Sequence, residues 1–160
     1  MLLAVLLAVS GCRRAPATAD VSLYFVRTEP TAFSLAEVRR PVPRGGAEDL
    51  VRAALAALLA GPTPDEQAAG LHTSIPPGTR LRSVRIRDGV VWADFTAELT
   101  SGGGSASAQG RFWQIVYTAT QFAEAPRVQF LVEGERRQAL TGEGLLIDEP
   151  VGRRETPPRF

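Results

Sequence analysis

The sequence of residues 80–95 restricts the local fold more than that of any other segment, because two strand patterns meet there at a turn. Val84 and Ile86 alternate with arginines, as in a half-buried strand. Asp88-Gly89 is typical of a two-residue turn between antiparallel strands, since these residue types tolerate positive φ. The pattern predicts a β-hairpin whose returning strand buries Val91, Ala93 and Phe95.

Two longer segments have the period of an amphipathic helix. The first follows Gly45-Gly46 and ends at Gly61-Pro62, a left-handed stop followed by a residue that blocks continuation. The second runs from about Ala108 to Ala123 and buries Phe112, Ile115, Val116, Ala119 and Phe122. Between them, Thr63–Glu66 forms a capping box with proline at the first helical position, which predicts a short helix to Gly70.

The remaining strand patterns set the fold class. Strands are predicted at Val21–Arg27, at Leu35–Val42 as far as Pro41, at Arg127–Glu133 and at Arg136–Leu140. With the hairpin and helices they give the order β(β)αββαββ. We therefore expect an α/β fold of the α+β kind, with a single β-sheet and two main helices packed on one face.

Composition excludes several kinds of site. All eighteen basic residues are arginine, so Schiff-base chemistry and the phosphate-binding loop, which need lysine, are excluded. One histidine and one cysteine cannot form a structural zinc site. The net charge of +1 argues against nucleic acid as a partner. The sequence predicts no metal and no cofactor.

The N-terminal segment resembles a bacterial lipoprotein signal. Leu2–Val9 is wholly apolar but, at about 12 Å as a helix, much shorter than a membrane span. Val9-Ser10-Gly11-Cys12 resembles the lipobox, which implies cleavage between Gly11 and Cys12 and acyl chains, such as palmitate, attached through the Cys12 sulfur. Residues 1–11 are thus expected to be a signal peptide and 12–20 a lipidated tether. Location would be extracytoplasmic, at the cell membrane or, in a two-membrane bacterium, the outer membrane.

A hydrolytic site is the alternative for the polar residues. His72 could join Asp94 with Ser74 or Ser83, although no G-x-S-x-G nucleophile elbow is present. Without a positioned partner, His72 is better interpreted as a loop residue. Asp94 is better interpreted as the anchor of a backbone turn. We therefore predict no catalytic residues.

Two further groups of residues could form a surface that binds a partner. Arginines at 80, 82, 85 and 87 could bind anionic lipid or wall polymers, although charge that protects a solvated strand is the favoured interpretation. Trp113 and Tyr117 widen the apolar arc of their helix to about 220°. Deep burial is the favoured reason for that width. A partner surface formed by Trp113, Tyr117, Arg85 and Arg87 is the alternative.

Five stretches in order resemble the GerMN domain of the sporulation and spore germination family. They are LLAGPT (58–63), GLHTSIPPGT (70–79), DGVVWADFT (88–96), IVYTATQF (115–122) and VQFLVEG (128–134). The resemblance implies a domain over 21–153 that is similar to ring-building-motif proteins, which are non-enzymatic and often lipid-anchored. Residues 154–160 are expected to form a flexible tail.

Together these features predict a membrane-anchored assembly module of the cell envelope. Its partners would be the membrane, through Cys12, and either an envelope protein or a second copy of the chain. A link to sporulation or germination follows from the family resemblance. An envelope hydrolase and a small-ligand-binding lipoprotein remain the alternatives.

Overall fold

The computed structural model describes residues 17–142 and 145–160, so the predicted signal peptide, Cys12 and the first part of the tether lie outside the described residues. Seven strands and three α-helices follow one another along this part of the chain. The strands are β1 (Thr18–Thr28), β2 (Phe33–Pro43), β3 (Leu71–His72), β4 (Leu81–Arg87), β5 (Val90–Phe95), β6 (Arg127–Val132) and β7 (Val151–Gly152). The helices are α1 (Ala47–Leu59), α2 (Pro64–Ala68) and α3 (Ser105–Ala119).

The strands form two sheets, which corrects the prediction of a single sheet while the α+β class is confirmed. The first sheet has the order β2-β1-β3 and is antiparallel. The second has the order β4-β5-β6-β7, with β5 and β6 parallel. A continuous sheet does not form because β3 covers only the end of β1, and the side chains of Thr118 on α3 and of Gln121 just after it bond the rest of that edge.

The hairpin prediction is confirmed. Asp88 and Gly89 have φ angles of 51° and 72°, as a tight turn between antiparallel strands requires. Val91, Ala93 and Phe95 are completely buried, as predicted, beside the alternate residues of the parallel strand β6. This pairing places an apolar face of the second sheet against the helices.

Three strand predictions need correction. β1 begins at Thr18, three residues before the predicted start, because Thr18, Ala19 and Asp20 pair with the end of β2. β2 continues through Pro41 to Pro43, which an edge strand permits since its outer N–H groups need no partner. Residues 136–140 form no strand; isolated bridges join Val132 to Glu135 and Ala139 to Leu146. Helix α3 also begins and ends before its predicted bounds.

The predicted flexible tail packs against the domain instead. Phe160 exchanges two backbone hydrogen bonds with Phe33, at 2.7 and 3.1 Å, and the two rings are stacked. Pro158 is buried. The guanidinium of Arg154 lies 4.6 Å from the ring centroid of Trp113. The segment packs because aromatic rings on α3 and β2 contact it. Its own polar, proline-rich sequence gives no indication of these contacts.

The segment after β7 also covers part of helix α3. Trp113 and Tyr117 are only 4% and 3% exposed, and the Tyr117 hydroxyl donates to the Arg154 carbonyl at 2.9 Å. Deep burial was therefore the correct interpretation of the wide apolar arc, and a partner surface at Trp113 and Tyr117 is wrong. Among the described residues, no helix combines the length and apolar character that a bilayer crossing needs.

Candidate functional site

Helix α3 replaces a strand along the edge of β1. The Gln121 side chain accepts from Ser22 N at 2.8 Å and donates to Ser22 O at 2.9 Å. Thr118 accepts from Tyr24 N at 3.3 Å, and Gln114 donates to Tyr24 O at 3.1 Å. Gln114 and Thr118, four residues apart, lie on one face of α3, and Gln121 follows shortly after the helix ends at Ala119. They satisfy backbone groups that a neighbouring strand would otherwise bond.

Gln114 also fixes the loop that follows β3. Its side-chain oxygen accepts from Ser74 N at 2.8 Å, and its amide nitrogen donates to the Thr73 hydroxyl at 3.3 Å. The residue is completely buried. One buried amide thus joins helix α3, strand β1 and the 73–74 loop, which makes it a structural centre of the domain.

Arg111, one turn before Gln114 on the same helix, holds the glycine-rich loop. Its guanidinium donates to the carbonyls of Leu99 and Ser101, each at 2.8 Å, and of Gly102 at 2.6 Å. Two further bonds go to Ser107. These contacts use all five N–H donors of an arginine. Burial lowers the pKa of Arg111, which is 1% exposed, by penalising its charged form.

The two loops held by α3 form the walls of an open cleft of about 560 Å³. Phe33 and His72 line it on the side of the first sheet, and their rings meet edge to face at 6.1 Å. The 73–77 loop supplies Ile75, Pro76 and Pro77 on one wall, and Ser101, Gly102 and Gly103 supply the other. The cleft therefore combines an apolar surface with a few hydroxyl and backbone polar groups.

Close packing in and behind these walls depends on two glycines. A Cβ on Gly103 would lie 2.8 Å from the Arg111 guanidinium, and its φ of +78° is unfavourable for other residues. A Cβ on Gly110 would lie 2.8 Å from the Cβ of Ser74. The absence of side chains at these points lets both loops approach α3.

The structure separates the residues of the predicted alternative hydrolase. His72 and Ser74 both line the cleft, but Asp94 does not. Asp94 lies on β5 in the other sheet, where it accepts from Gly134 N at 2.8 Å and from Arg82 at 3.1 Å. It has the turn-anchoring role that the sequence favoured. Ser83 lies opposite Asp94 in the hairpin and not in the cleft.

The two arginines of the predicted partner surface are exposed but lie apart from Trp113 and Tyr117. Arg85 is 57% exposed and forms an ion pair with Glu48 of α1 at 3.2 Å. Arg87 is exposed at the turn end of β4. Since the aromatic residues are buried, the four residues do not form one surface. Within residues 17–142 and 145–160, no cluster of His, Cys, Asp or Glu could hold a metal ion.

Sequence reasoning missed Arg111 and Gln114 as structural centres. Arg111 lies within the helix predicted from the sequence, and arginine is a residue type that is rarely fully buried. One sequence feature could have indicated their role: Arg111 and Gln114 lie one turn apart among apolar residues, where a polar side chain needs an internal partner. The partners of these two side chains could not be predicted, because they are mostly backbone groups of distant segments.

The model of the Germane family, described as sporulation and spore germination, matches residues 22–138. The chain belongs to this family. No curated protein sequence matches it.

Solved structures show the same fold. The tandem GerMN domains of the sporulation protein GerM from Bacillus subtilis match with a TM-score of 0.68 and 22% identity, over 92% of this chain and 50% of that one. The chain thus spans half the length of that protein structure. The first GerMN domain alone matches with a TM-score of 0.63 and 21% identity, over 85% of this chain and 98% of the domain. A candidate lipoprotein from Clostridium perfringens matches at 0.61 and 25% identity, over 85% and 88%.

Proposed function

We propose that this protein is a lipid-anchored, non-enzymatic module that assembles with protein partners on the outer side of a bacterial membrane. The observation that carries the proposal is the apolar run Leu2–Val9 followed by Ser10, Gly11 and Cys12, directly before a GerMN domain. The likeness to a candidate lipoprotein of Clostridium perfringens supports the same arrangement. Family membership supports a role linked to sporulation or germination.

The tether would be short. Because β1 begins at Thr18, residues 13–17 alone separate Cys12 from the first sheet. Even fully extended, this segment spans at most about 18 Å. The domain would therefore stay close to the bilayer, where it can meet neighbouring membrane proteins or other copies of itself.

We expect replacement of Cys12 by alanine to release the protein from membranes. The alanine has no thiol to receive a lipid, and no described helix can span the bilayer in its place. Fractionation of cells that express the full chain tests this: the wild type should sediment with membranes, and Cys12→Ala should lose nearly all of that signal. Ser10→Ala, which keeps a small residue near the cysteine, is the matched control and should sediment like the wild type. Equal sedimentation of Cys12→Ala and the wild type would contradict the proposal.

The cleft favours a second candidate function, the binding of a small ligand by a lipoprotein. Its volume of about 560 Å³ is within the range of small-molecule sites, and its apolar surface carries scattered polar groups. Ile75 is buried within the wall, while Pro77 is exposed at the rim. This candidate concerns what the module binds and is compatible with the tether.

A further inference from the structure

The outer face of the second sheet is the side that faces away from the helices. Alternate residues of β5, among them Val91 and Ala93, are buried on the inner side, so Trp92 between them points outward. In the strand pairing, Arg85 of β4 and Gln129 of β6 lie on either side of Trp92. Residues paired directly across strands share a face, so the register identifies the other members of this surface.

Three arginines surround Trp92 on this face. Arg87 and Arg127 lie on either side of Val90, with their backbones about 10 Å apart at the usual strand spacing. The guanidinium of Arg136 lies 4.7 Å from the centroid of the Trp92 ring. All three arginines are exposed, and none belongs to an ion pair formed among the described residues. We call Trp92 and these three arginines the arginine face.

The charges that adjoin the arginine face leave it positive. Arg85, directly beside Trp92, forms an ion pair with Glu48 of α1 at 3.2 Å, so it adds little charge of its own. Asp88 at the turn and Glu124 before β6 are acidic and exposed, but both lie beyond the ends of the strands. The excess of positive charge therefore stays on the sheet surface around the tryptophan.

The tether ends close to the arginine face. The Ala17 carbonyl accepts from Arg44 N at 3.0 Å. Four residues later, the carboxylate of Glu48 accepts from Ile86 N of β4 at 3.2 Å. Four residues span at most about 14 Å, so the last residue of the tether lies near the turn end of β4, where Arg87 is. A bilayer that holds Cys12 is within reach of this surface.

We propose that the arginine face docks on the anionic phospholipid surface of the membrane to which the protein is tethered. A guanidinium binds phosphate through a pair of parallel donors, and tryptophan is favoured at the level of the headgroups. Each basic residue close to an anionic membrane strengthens binding about fivefold, so three arginines would hold an untethered protein only weakly. Docking therefore rests on the proposed lipid anchor, which supplies the high local concentration that such a contact needs.

Quenching of tryptophan fluorescence on vesicles tests the docking. Full-length protein made without lipid is coupled through the thiol of Cys12, its one cysteine, to a maleimide lipid, so a tether is present whether or not cells attach one. The vesicles contain a lipid with a nitroxide on its headgroup, which quenches tryptophan at short range. We expect stronger quenching on vesicles with about one-third phosphatidylglycerol than on neutral phosphatidylcholine vesicles, and loss of this difference at about 0.5 M salt. Trp92→Phe should also remove the difference, because Trp113 is only 4% exposed.

Paired arginine substitutions test which surface docks. Arg87→Gln combined with Arg127→Gln should lower the ratio of docked to undocked protein about thirtyfold, since each arginine contributes about fivefold. Arg39→Gln combined with Arg159→Gln is the matched control, because it removes the same charge from side chains that are 75% and 70% exposed outside the arginine face. The control should change the ratio by less than about twofold.

Two results would overturn the docking: equal quenching of the wild type on anionic and neutral vesicles, or an Arg87→Gln/Arg127→Gln protein that docks like the control. Equal quenching is also the result expected if the arginine face binds an anionic protein or wall polymer instead of lipid. The anchor and the docking can fail separately. Coupled protein that docks, from a chain that carries no lipid in its own cells, contradicts the anchor alone. A chain that carries lipid on Cys12 in cells but does not dock when coupled contradicts the docking alone.

Discussion

Replacement of Arg111 by methionine is expected to lower the free energy of unfolding by about 3 to 5 kcal/mol. Methionine retains much of the aliphatic volume but removes the donors that bond the carbonyls of Leu99, Ser101 and Gly102. A buried acceptor left without a partner costs about 1 to 3 kcal/mol, and part of this cost is recovered because water can reach the glycine-rich loop. Urea unfolding, followed by tryptophan fluorescence, measures the difference.

The part of the chain that is destabilised distinguishes loss of the Arg111 hydrogen bonds from loss of ordinary core packing. We expect amide hydrogen exchange to increase first at Ser101–Gly104, which the guanidinium holds in place. Arg87→Met, at an exposed arginine of β4, is the matched control and should change stability by less than about 0.5 kcal/mol. An Arg111→Met protein as stable as the control would show that the buried guanidinium does not hold the loop.

Replacement of Gln114 by leucine is expected to lower the free energy of unfolding by about 2 to 4 kcal/mol. The two side chains have similar volumes, so the main change is the loss of partners for Ser74 N and Tyr24 O. Both groups lie where α3 covers the edge of β1, and water has poor access to a completely buried site. The same unfolding experiment measures the change.

A substitution elsewhere on α3 supplies the control for Gln114. Gln109→Leu makes the same chemical change at a half-buried position whose side chain forms no hydrogen bond within residues 17–142 and 145–160, so it should be nearly neutral. Amide exchange of the Gln114→Leu protein should rise at the 73–75 segment and not at the glycine-rich loop. If the two leucine variants are equally stable, Gln114 does not join helix, strand and loop as described.

Local sequence patterns predicted most elements because each pattern has a local cause. Asp88-Gly89 specifies its turn through backbone conformation, and the capping box at Thr63 begins α2 through bonds within four residues. The family resemblance, carried by five ordered stretches, is confirmed by the match over residues 22–138. These features need no knowledge of distant parts of the chain.

The number of sheets could not be predicted, because it depends on contacts between distant segments. The edge of β1 is closed by Gln114, Thr118 and Gln121, which lie about ninety residues or more away in sequence. In the sequence these residues follow helical spacing and resemble the polar side of a surface helix, which could not be distinguished from a solvated face.

The packing of the last residues has the same origin. Pro157 and Pro158 interrupt every periodic pattern, so the sequence indicated a loose tail. The segment nevertheless finds aromatic partners, since Arg154 lies over Trp113 and Phe160 stacks on Phe33. The C-terminal segment therefore helps to bury Trp113 and Tyr117, for which the sequence analysis allowed a partner surface as the alternative.

The identity of the mature N-terminus tests the central proposal, a GerMN domain fastened to a membrane by lipid, most directly. Mass spectrometry of the protein purified from its native membranes should find an N-terminal peptide that begins at Cys12 and carries a diacylglyceryl group on its sulfur. Residues 1–11 should be absent. A peptide that continues through Gly11 into Cys12, with the thiol unmodified, would contradict the proposal.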